Sequence, residues 1–345
     1  MGKSVSKLRY GNQGQLGQKK DDEFYTKISD VEDELFYWAA LGKFKDKNII
    51  CPCDLDVEDS VFSVCYKGEK IYTNSVKQKL YSLFMPEQKE SDYVGSFLSS
   101  SHKSNFIKVL IEHANEWGIK SITASGYNPE TKQGISFTDI DYSGYDLCIT
   151  NPPFSLYKSF MKSIVGNIDF IVLAPFTNRV APSCMVPIMD GKAFFGHGIS
   201  RHITFDTPDE KKRNRIINCD WITTFNEAQE ERDSRHFTTG IKYAEHKDEF
   251  IVLDKMTSKD GTHPIKVSVP CWPDDYDNWM MASVMALDYL DQSEYEWVCL
   301  SCQGFLNKTN RDRNPLDRDV RNDMFVIDGK KYFNGNILFK KKKHS

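Results

Sequence analysis

No stretch of this chain approaches the roughly 20 consecutive apolar residues that cross a bilayer, and the N-terminus lacks the hydrophobic segment of a secretory signal. Neither a membrane-embedded nor a secreted role is expected. Nine cysteines are present, an odd number at irregular spacing. That argues against a disulfide framework and for reduced thiols in a cytoplasmic compartment. Cys51-Pro52-Cys53 and Cys299-Leu300-Ser301-Cys302 each lack a further Cys or His at ligand spacing, so no metal is expected. Internal repeats are also missing.

What remains is a chain of 345 residues with 40% apolar and 13% aromatic content, enough for one large domain or two modest ones with a real core. The net charge of −4 is unevenly spread. Residues 1–20 hold five basic groups and no acid, and residues 303–345 hold eleven basic and five acidic groups. Basic ends on an acidic body suit contact with a phosphate backbone, and they equally suit solubility. Residues 1–20, rich in Gly, Gln and Lys, have little to bury and are expected to be disordered.

The stretch Asp146-Leu-Cys-Ile-Thr-Asn-Pro-Pro-Phe154 carries the most chemistry. Leu147 to Thr150 is expected to be a short buried strand, ended by two prolines that fix φ and remove two backbone donors. Carbonyl oxygens are then available at a stiff turn, Asn151 adds an amide oxygen and Phe154 a flat ring. Together with Pro152 and Pro153 they form a cradle for a planar group bearing an exocyclic NH₂. A core aromatic is the lesser alternative for Phe154.

The rest of the pattern places this turn. A helix is expected from Ser29 or Asp30, with Val31, Leu35 and Trp38 on one face, followed by a strand over 47–51 that ends in Cys51-Pro52-Cys53-Asp54. Residues 55–101 are polar and look inserted. A helix over 105–117 with Gly118 at its end precedes a strand over 119–125 and a turn at Gly126-Tyr127-Asn128-Pro129. A short strand over 135–141, the strand before Asn151, a helix marked by Leu156, Phe160 and Ile164, and a strand over 169–174 complete an alternation of strands and helices. Such alternation predicts a mainly parallel sheet, and ligands bind beyond the carboxyl ends of its strands. Residues 51–54, 126–128, Asp139/Asp141 and 151–154 all fall at those ends. Beyond residue 192 the texture changes: two strands around Gly196-His197-Gly198, a charged loop over 209–215, a strand over 221–225, and a hairpin with an Asp-Gly turn over 325–333. His197 and His202 are read as structural.

On Asp22-Glu-Phe-Tyr-Thr26, Ile50-Cys-Pro-Cys-Asp54, Asn105-Phe-Ile-Lys108, Asp139-Ile-Asp141, Asn151-Pro-Pro-Phe154, Pro273-Asp-Asp-Tyr-Asp277 and Trp279-Met280, the chain resembles the EcoRI-type adenine-specific DNA methyltransferases of restriction–modification systems. That resemblance implies an α/β, Rossmann-like class I S-adenosylmethionine-dependent fold with a C-terminal target-recognition region. It divides the chain into a basic tail (1–20), a catalytic core (21–194, with 55–101 inserted) and a recognition region (195–345). It implies that Asn151, Pro152, Pro153 and Phe154 hold a flipped-out adenine in double-stranded DNA, in a restriction–modification or phage anti-restriction setting. Glu23, Phe24, Tyr25 and Thr26 are similar to the segment beside the methionine end of the methyl donor, S-adenosylmethionine. Cys51, Pro52, Cys53 and Asp54 stand where other methyltransferases carry a glycine-rich loop. Asp139 or Asp141 matches the acid that reads the donor's adenine, and Tyr127 or Asn128 takes the place of the acid after the second strand. Arg201, Arg213, Arg215, Arg311 and Arg313 are candidate DNA contacts. The protein is expected to act as a monomer in the cytoplasm of a bacterium or of a phage's host, with a cognate restriction endonuclease as a partner in the same system. Two other readings remain open from residues alone: a DNA-binding decoy that has lost the chemistry, and a protein glutamine methyltransferase.

Overall fold

A computed structural model describes residues 25–55, 63–68, 70–74, 89–91, 104–128, 132–175, 182–197, 201–206, 215–233, 241–254, 256–300, 313–317, 325–327, 330–332 and 336–343. The tail over 1–20 lies outside them. Among the described residues, no helix is long and apolar enough to cross a membrane, and no cluster of His, Cys, Asp or Glu is suited to a metal.

The chain enters through β1 (Tyr25–Thr26) and turns at once into α1 (Ile28–Ala40). The helix begins earlier than the polar residues Ser29 and Asp30 suggest, because the chain leaves a strand directly and Lys27, still extended, forms the boundary. Strand β2 (Asn48–Cys51) follows. The inserted segment is no loose excursion: β3 (Ser63–Lys67), β4 (Lys70–Asn74) and β5 (Lys89–Ser91) extend the sheet's edge. Helix α2 (Asn105–Glu112) leads to β6 (Ser121–Ser125), then to a small hairpin of β7 (Tyr127–Asn128) and β8 (Gln133–Gly134). Strand β9 (Leu147–Thr150), helix α3 (Tyr157–Ile164), strand β10 (Asp169–Pro175) and helix α4 (Pro182–Met189) come next. Then follow β11 (Phe194–Phe195), β12 (Arg201–Asp206), β13 (Arg215–Thr223) and helix α5 (Glu227–Asp233).

The large sheet runs β1-β12-β13-β10-β9-β2-β6-β3-β4-β5, with β11 also on β13. Its centre, β10-β9-β2-β6, is parallel, and antiparallel strands flank it on both sides. Parallel strands are covered on both faces and so read as continuous apolar runs. Alternate residues divide between two cores. Ile49, Cys51, Leu147, Ile149, Ile171 and Leu173 meet Val31, Leu35 and Trp38 of α1 and Phe106, Val109 and Leu110 of α2. Ile50, Cys148, Phe170, Val172 and Ala174 meet Tyr157, Phe160, Met161 and Ile164 of α3 and Cys184, Met185 and Ile188 of α4. This is the Rossmann-like arrangement that the family resemblance implied; the alternation of segments predicted its parallel centre, while the sheet as a whole is mixed rather than mainly parallel.

Beyond α5 the chain builds a second sheet from β14 (Ile251–Val252), β15 (Ile265–Lys266), β16 (Met280–Ser283), β17 (Tyr295–Cys299) and, after the hairpin β18 (Phe325–Ile327) and β19 (Lys330–Tyr332), β20 (Asn336–Lys341). The hairpin expected over 325–333 appears as the antiparallel β18–β19 pair, with Asp328 and Gly329 outside the described residues. Trp272, Tyr295, Phe339 and Leu338 belong to the same buried cluster as α3 and α4, so the second sheet is continuous with the core under one face of the first.

Three expectations change. Residues 135–141 form no regular strand. Ile135, Phe137 and Ile140 all turn inward, which breaks the alternation that pairing needs, and Asp139 N closes a tight turn on Ser136 O at 2.8 Å. The helix after Asn105 stops at Glu112, and the segment to Gly118 is a series of turns in which His113 stacks on Trp117 at 4.8 Å. Gly118 does take the left-handed φ of +65° anticipated for a helix exit. Finally, β11 and β12 are the two strands expected around Gly196-His197-Gly198. Both pair with β13, which is longer than the expected strand over 221–225 and lies antiparallel beside β10. The large sheet therefore continues past residue 194, to Thr223.

Candidate active site

Order among the parallel strands reverses at β2: β6 lies on one side of it, and the chain then returns to place β9 on the other. A crevice opens at such a switch point, beyond the carboxyl ends of the two strands. Residues 51–54 leave β2 there and residues 151–154 leave β9 there, so two distant motifs are brought together by topology.

Asp54 ties these ends. Its carboxylate accepts the Thr150 hydroxyl on Oδ2 and the Ser104 hydroxyl on Oδ1, both at 2.5 Å. Thr150 is the last residue of β9, and Ser104 caps α2 by accepting from Phe106 N at 3.2 Å. Asp54 is only 7% exposed. The side chain expected to touch a donor is thus a buried brace between two strand ends and a helix start. Its backbone N–H and that of Leu55 both reach Ser125 O at 3.2 Å, closing the end of β6 onto the same loop. This contact requires Gly126, since a Cβ there would lie 1.8 Å from Leu55 O. Burial, together with the Asp54 charge, raises the thiol pKa values of Cys51 and Cys53 well above the ordinary range, and Cys148 follows by the same causes. These thiols are packing groups, not nucleophiles. Pro52 is buried beside them.

Asn151 is half-buried, and its Nδ2 donates to Thr26 Oγ1 at 3.4 Å. Thr26 O accepts from Asn105 Nδ2 at 2.8 Å, and Asn105 Oδ1 accepts from Lys108 Nζ at 3.3 Å. Pro152 is buried and Pro153 half-buried; Pro153 O accepts from Leu156 N at 2.9 Å, opening the short turn Phe154–Leu156 that runs into α3. The half-buried ring of Phe154 meets Phe205 of β12 edge-on, with centroids 6.0 Å apart. Phe205 is also the cross-strand partner of Thr26.

The remaining candidates are less convergent. Tyr127 and Asn128 are half-buried in β7, directly past β6. Asp139 and Asp141 are both exposed. Asp141 caps the turn at 142–144 by accepting from Ser143 N at 3.0 Å, and that hydroxyl and N–H hold its carboxyl below its ordinary value. Glu23, Phe24, Arg213 and Arg311 lie outside the described residues, and of Tyr25, Arg201 and Arg215 only the backbone is described. Arg201 and Arg215 stand at opposite ends of the β12–β13 ladder. Arg313 is exposed and pairs with Asp190, with Met189 O 3.3 Å away, so it ties the C-terminal segment to the end of α4. His197 is structural as expected: it stacks on Tyr37 at 3.9 Å, faces Glu231 at 3.2 Å, and its N–H donates to buried Glu34 at 2.9 Å.

Residues 14–342 match the family described as adenine-specific methyltransferase EcoRI. The chain belongs to that family. Among curated proteins, the Type II methyltransferase M.EcoRI of Escherichia coli is 26% identical over 228 residues. The match spans 60% of this chain and 66% of that protein, just short of two thirds of its length. Solved structures with a looser likeness are Thermoplasma acidophilum 1320 and Pyrococcus horikoshii PH1948, each 13% identical, with TM-scores of 0.30 and 0.31. They cover 59% and 61% of this chain, and 88% and 91% of their own. The sequence motifs did not assign work to Ser104, Asn105, Lys108 or Thr150. The signal was available for two of them, since Asn105 and Lys108 bound a family motif; their partners emerge only in three dimensions.

Proposed function

We propose that this chain transfers the methyl group of S-adenosylmethionine to the exocyclic amino nitrogen of an adenine turned out of double-stranded DNA. The observation that carries the reading is the convergence, at one switch point, of the rigid Asn151-Pro152-Pro153-Phe154 turn with the ends of β2 and β6. The residues fit the donor. At the carboxyl end of β6 the Ser125 hydroxyl is buried with no hydrogen-bond partner among the described residues, and half-buried Tyr127 and Asn128 continue from it. These are polar groups suited to a sugar or base edge. The exposed carboxylates of Asp139 and Asp141 stand a few residues further along for an amino group, Asp139 being the less committed of the two. When bound, the donor supplies an electrophilic methyl carbon.

The chain's own residues do the rest. The amine's lone pair is delocalised into the purine ring, which makes it a poor nucleophile. Accepting its two N–H bonds on Asn151 Oδ1 and the Pro152 carbonyl draws the nitrogen toward tetrahedral geometry and localises that pair. Phe154, held edge-on by Phe205, offers a fixed ring on which the extruded base stacks. A strong base is unnecessary: as the N–C bond forms the donor's S–C bond breaks to leave a neutral thioether, and the proton, acidic on the methylated nitrogen, passes to solvent. Orientation and fixed dipoles supply the acceleration. Arg201 of β12 and Arg215 of β13 are the DNA contacts this reading assigns. A cognate endonuclease in the same system, action as a monomer, and a bacterial or phage setting belong to this reading.

Removing one fixed dipole from such a site lowers the rate by about 10²–10³. Asn151→Ala is expected to remain folded and to lose methyl transfer by at least the lower figure; Pro152→Ala keeps the carbonyl and only loosens the turn that aims it, so a smaller loss is expected. Tritium incorporation into DNA measures this, and modification-sensitive sequencing of an expressing host's DNA locates the methylated base. Full activity in both variants would refute the cradle.

A further inference from the structure

The amide of Asn151 poses a problem of orientation. Its oxygen and nitrogen arms are nearly the same size, so packing cannot tell them apart, yet rotating the group by half a turn would aim a donor at an incoming amine instead of an acceptor. Only a hydrogen bond can decide which arm faces the substrate. Here Asn151 Nδ2 donates to Thr26 Oγ1 at 3.4 Å, which fixes the two arms so long as the Thr26 hydroxyl acts as the acceptor and directs its own proton elsewhere. The contact is longer than an ordinary N–H···O bond, as catalytic hydrogen bonds often are before a substrate is seated.

Thr26 is itself held from two sides. The strand β1 is only two residues long and lies at the sheet's edge, where a pair of ladder positions is weak by itself. Asn105 Nδ2 reaches from the first turn of α2 to Thr26 O at 2.8 Å, and Lys108 Nζ, one turn on, fixes the other arm of Asn105 at 3.3 Å. The same short strand sets the stacking ring, because Phe205, opposite Thr26 in the ladder, is the residue that packs edge-on against Phe154. One two-residue strand therefore touches both arms of the cradle.

We infer that Thr26 and Asn105 are positioning residues: the Thr26 hydroxyl holds the Asn151 amide with its oxygen turned to the substrate amine, and Asn105 holds Thr26 in place through its backbone carbonyl. This rests on the reading of Asn151 above and reassigns Thr26 from contact with the donor to control of the catalytic amide.

The test uses the full chain, bulk unmethylated plasmid DNA and tritiated S-adenosylmethionine in single-turnover mode. Donor affinity is measured by calorimetry with S-adenosylmethionine alone, and folding by thermal melting. Thr26→Val keeps the shape and removes the hydroxyl. Its rate at saturating donor is expected to fall at least tenfold, with donor affinity within about twofold of the parent. Thr26→Ser, which restores the hydroxyl, returns most of the rate. Asn105→Ala falls in the same direction, and in an Asn151→Ala background Thr26→Val adds no further loss. A full rate in Thr26→Val, or a loss explained wholly by weaker donor binding, overturns the assignment. Asn151→Ala in the same assay separates the two levels. If it is inactive while Thr26→Val is normal, only the positioning role fails; if it is as fast as the parent, the reading of the cradle fails with it. A parent that transfers no label overturns both.

Discussion

Replacing Asp54 by alanine tests the brace beneath the site. In the folded chain its two oxygens each accept a hydroxyl proton at 2.5 Å, from Ser104 and Thr150, inside a pocket that leaves the residue 7% exposed. Hydrogen bonds to a charged group contribute about 1.5–3 kcal/mol each, and a buried hydroxyl left without a partner costs about 1–3 kcal/mol. Two such bonds put the loss at about 3–6 kcal/mol, and admission of water to the vacated space favours the lower end. Asp54→Ala is therefore expected to destabilise the protein by about 3 kcal/mol, a large part of a normal folding free energy of roughly 5–15 kcal/mol. Urea unfolding followed by tryptophan fluorescence measures it through the midpoint, provided the slope is unchanged. Thr150→Val removes one of the two partners. In a double-mutant cycle its coupling to Asp54→Ala should be on the order of 1 kcal/mol or more, as expected for groups in direct contact. Donor affinity should fall in Asp54→Ala even without direct contact, because the ends of β2 and β9 lose the tie between them. A stability loss below about 1 kcal/mol at an unchanged slope would refute the brace.

Gly126→Ala places a methyl carbon 1.8 Å from Leu55 O, which must then move; a loss of about 1–3 kcal/mol and weaker S-adenosylmethionine binding are expected, from the same unfolding and calorimetric assays. Cys53 is partly exposed as a residue, yet crowding around its sulfur and the Asp54 charge raise its pKa. A raised thiol pKa keeps the unreactive neutral form dominant above the pH at which a free cysteine ionises, so iodoacetamide labelling of native protein should stay slow through pH 9. Asp54→Asn should speed it, as read by mass spectrometry of the peptide containing residue 53.

The amino-acid sequence by itself determined the alternation of buried strands and amphipathic helices, and with it the doubly wound sheet. Runs such as Leu147-Cys148-Ile149-Thr150 can be satisfied only by cover on both faces. It also determined the stiff turn at 151–154, because two prolines constrain the backbone locally whatever surrounds them. Residues 135–141 misled because their apolar spacing matched a strand over a few positions, while burial of Ile135, Phe137 and Ile140 against α3 and its neighbours decided otherwise. Tertiary structure alone decided which polar side chains meet. Asp54 finds Thr150 96 positions away and Asn105 finds Thr26 79 positions away. Such partners leave no periodic trace in the sequence, since what joins them is strand order and a switch point in the sheet. Strands β12 and β13 belong to the large sheet for the same reason: the pairing of β13 with β10 is a long-range contact that no local propensity encodes.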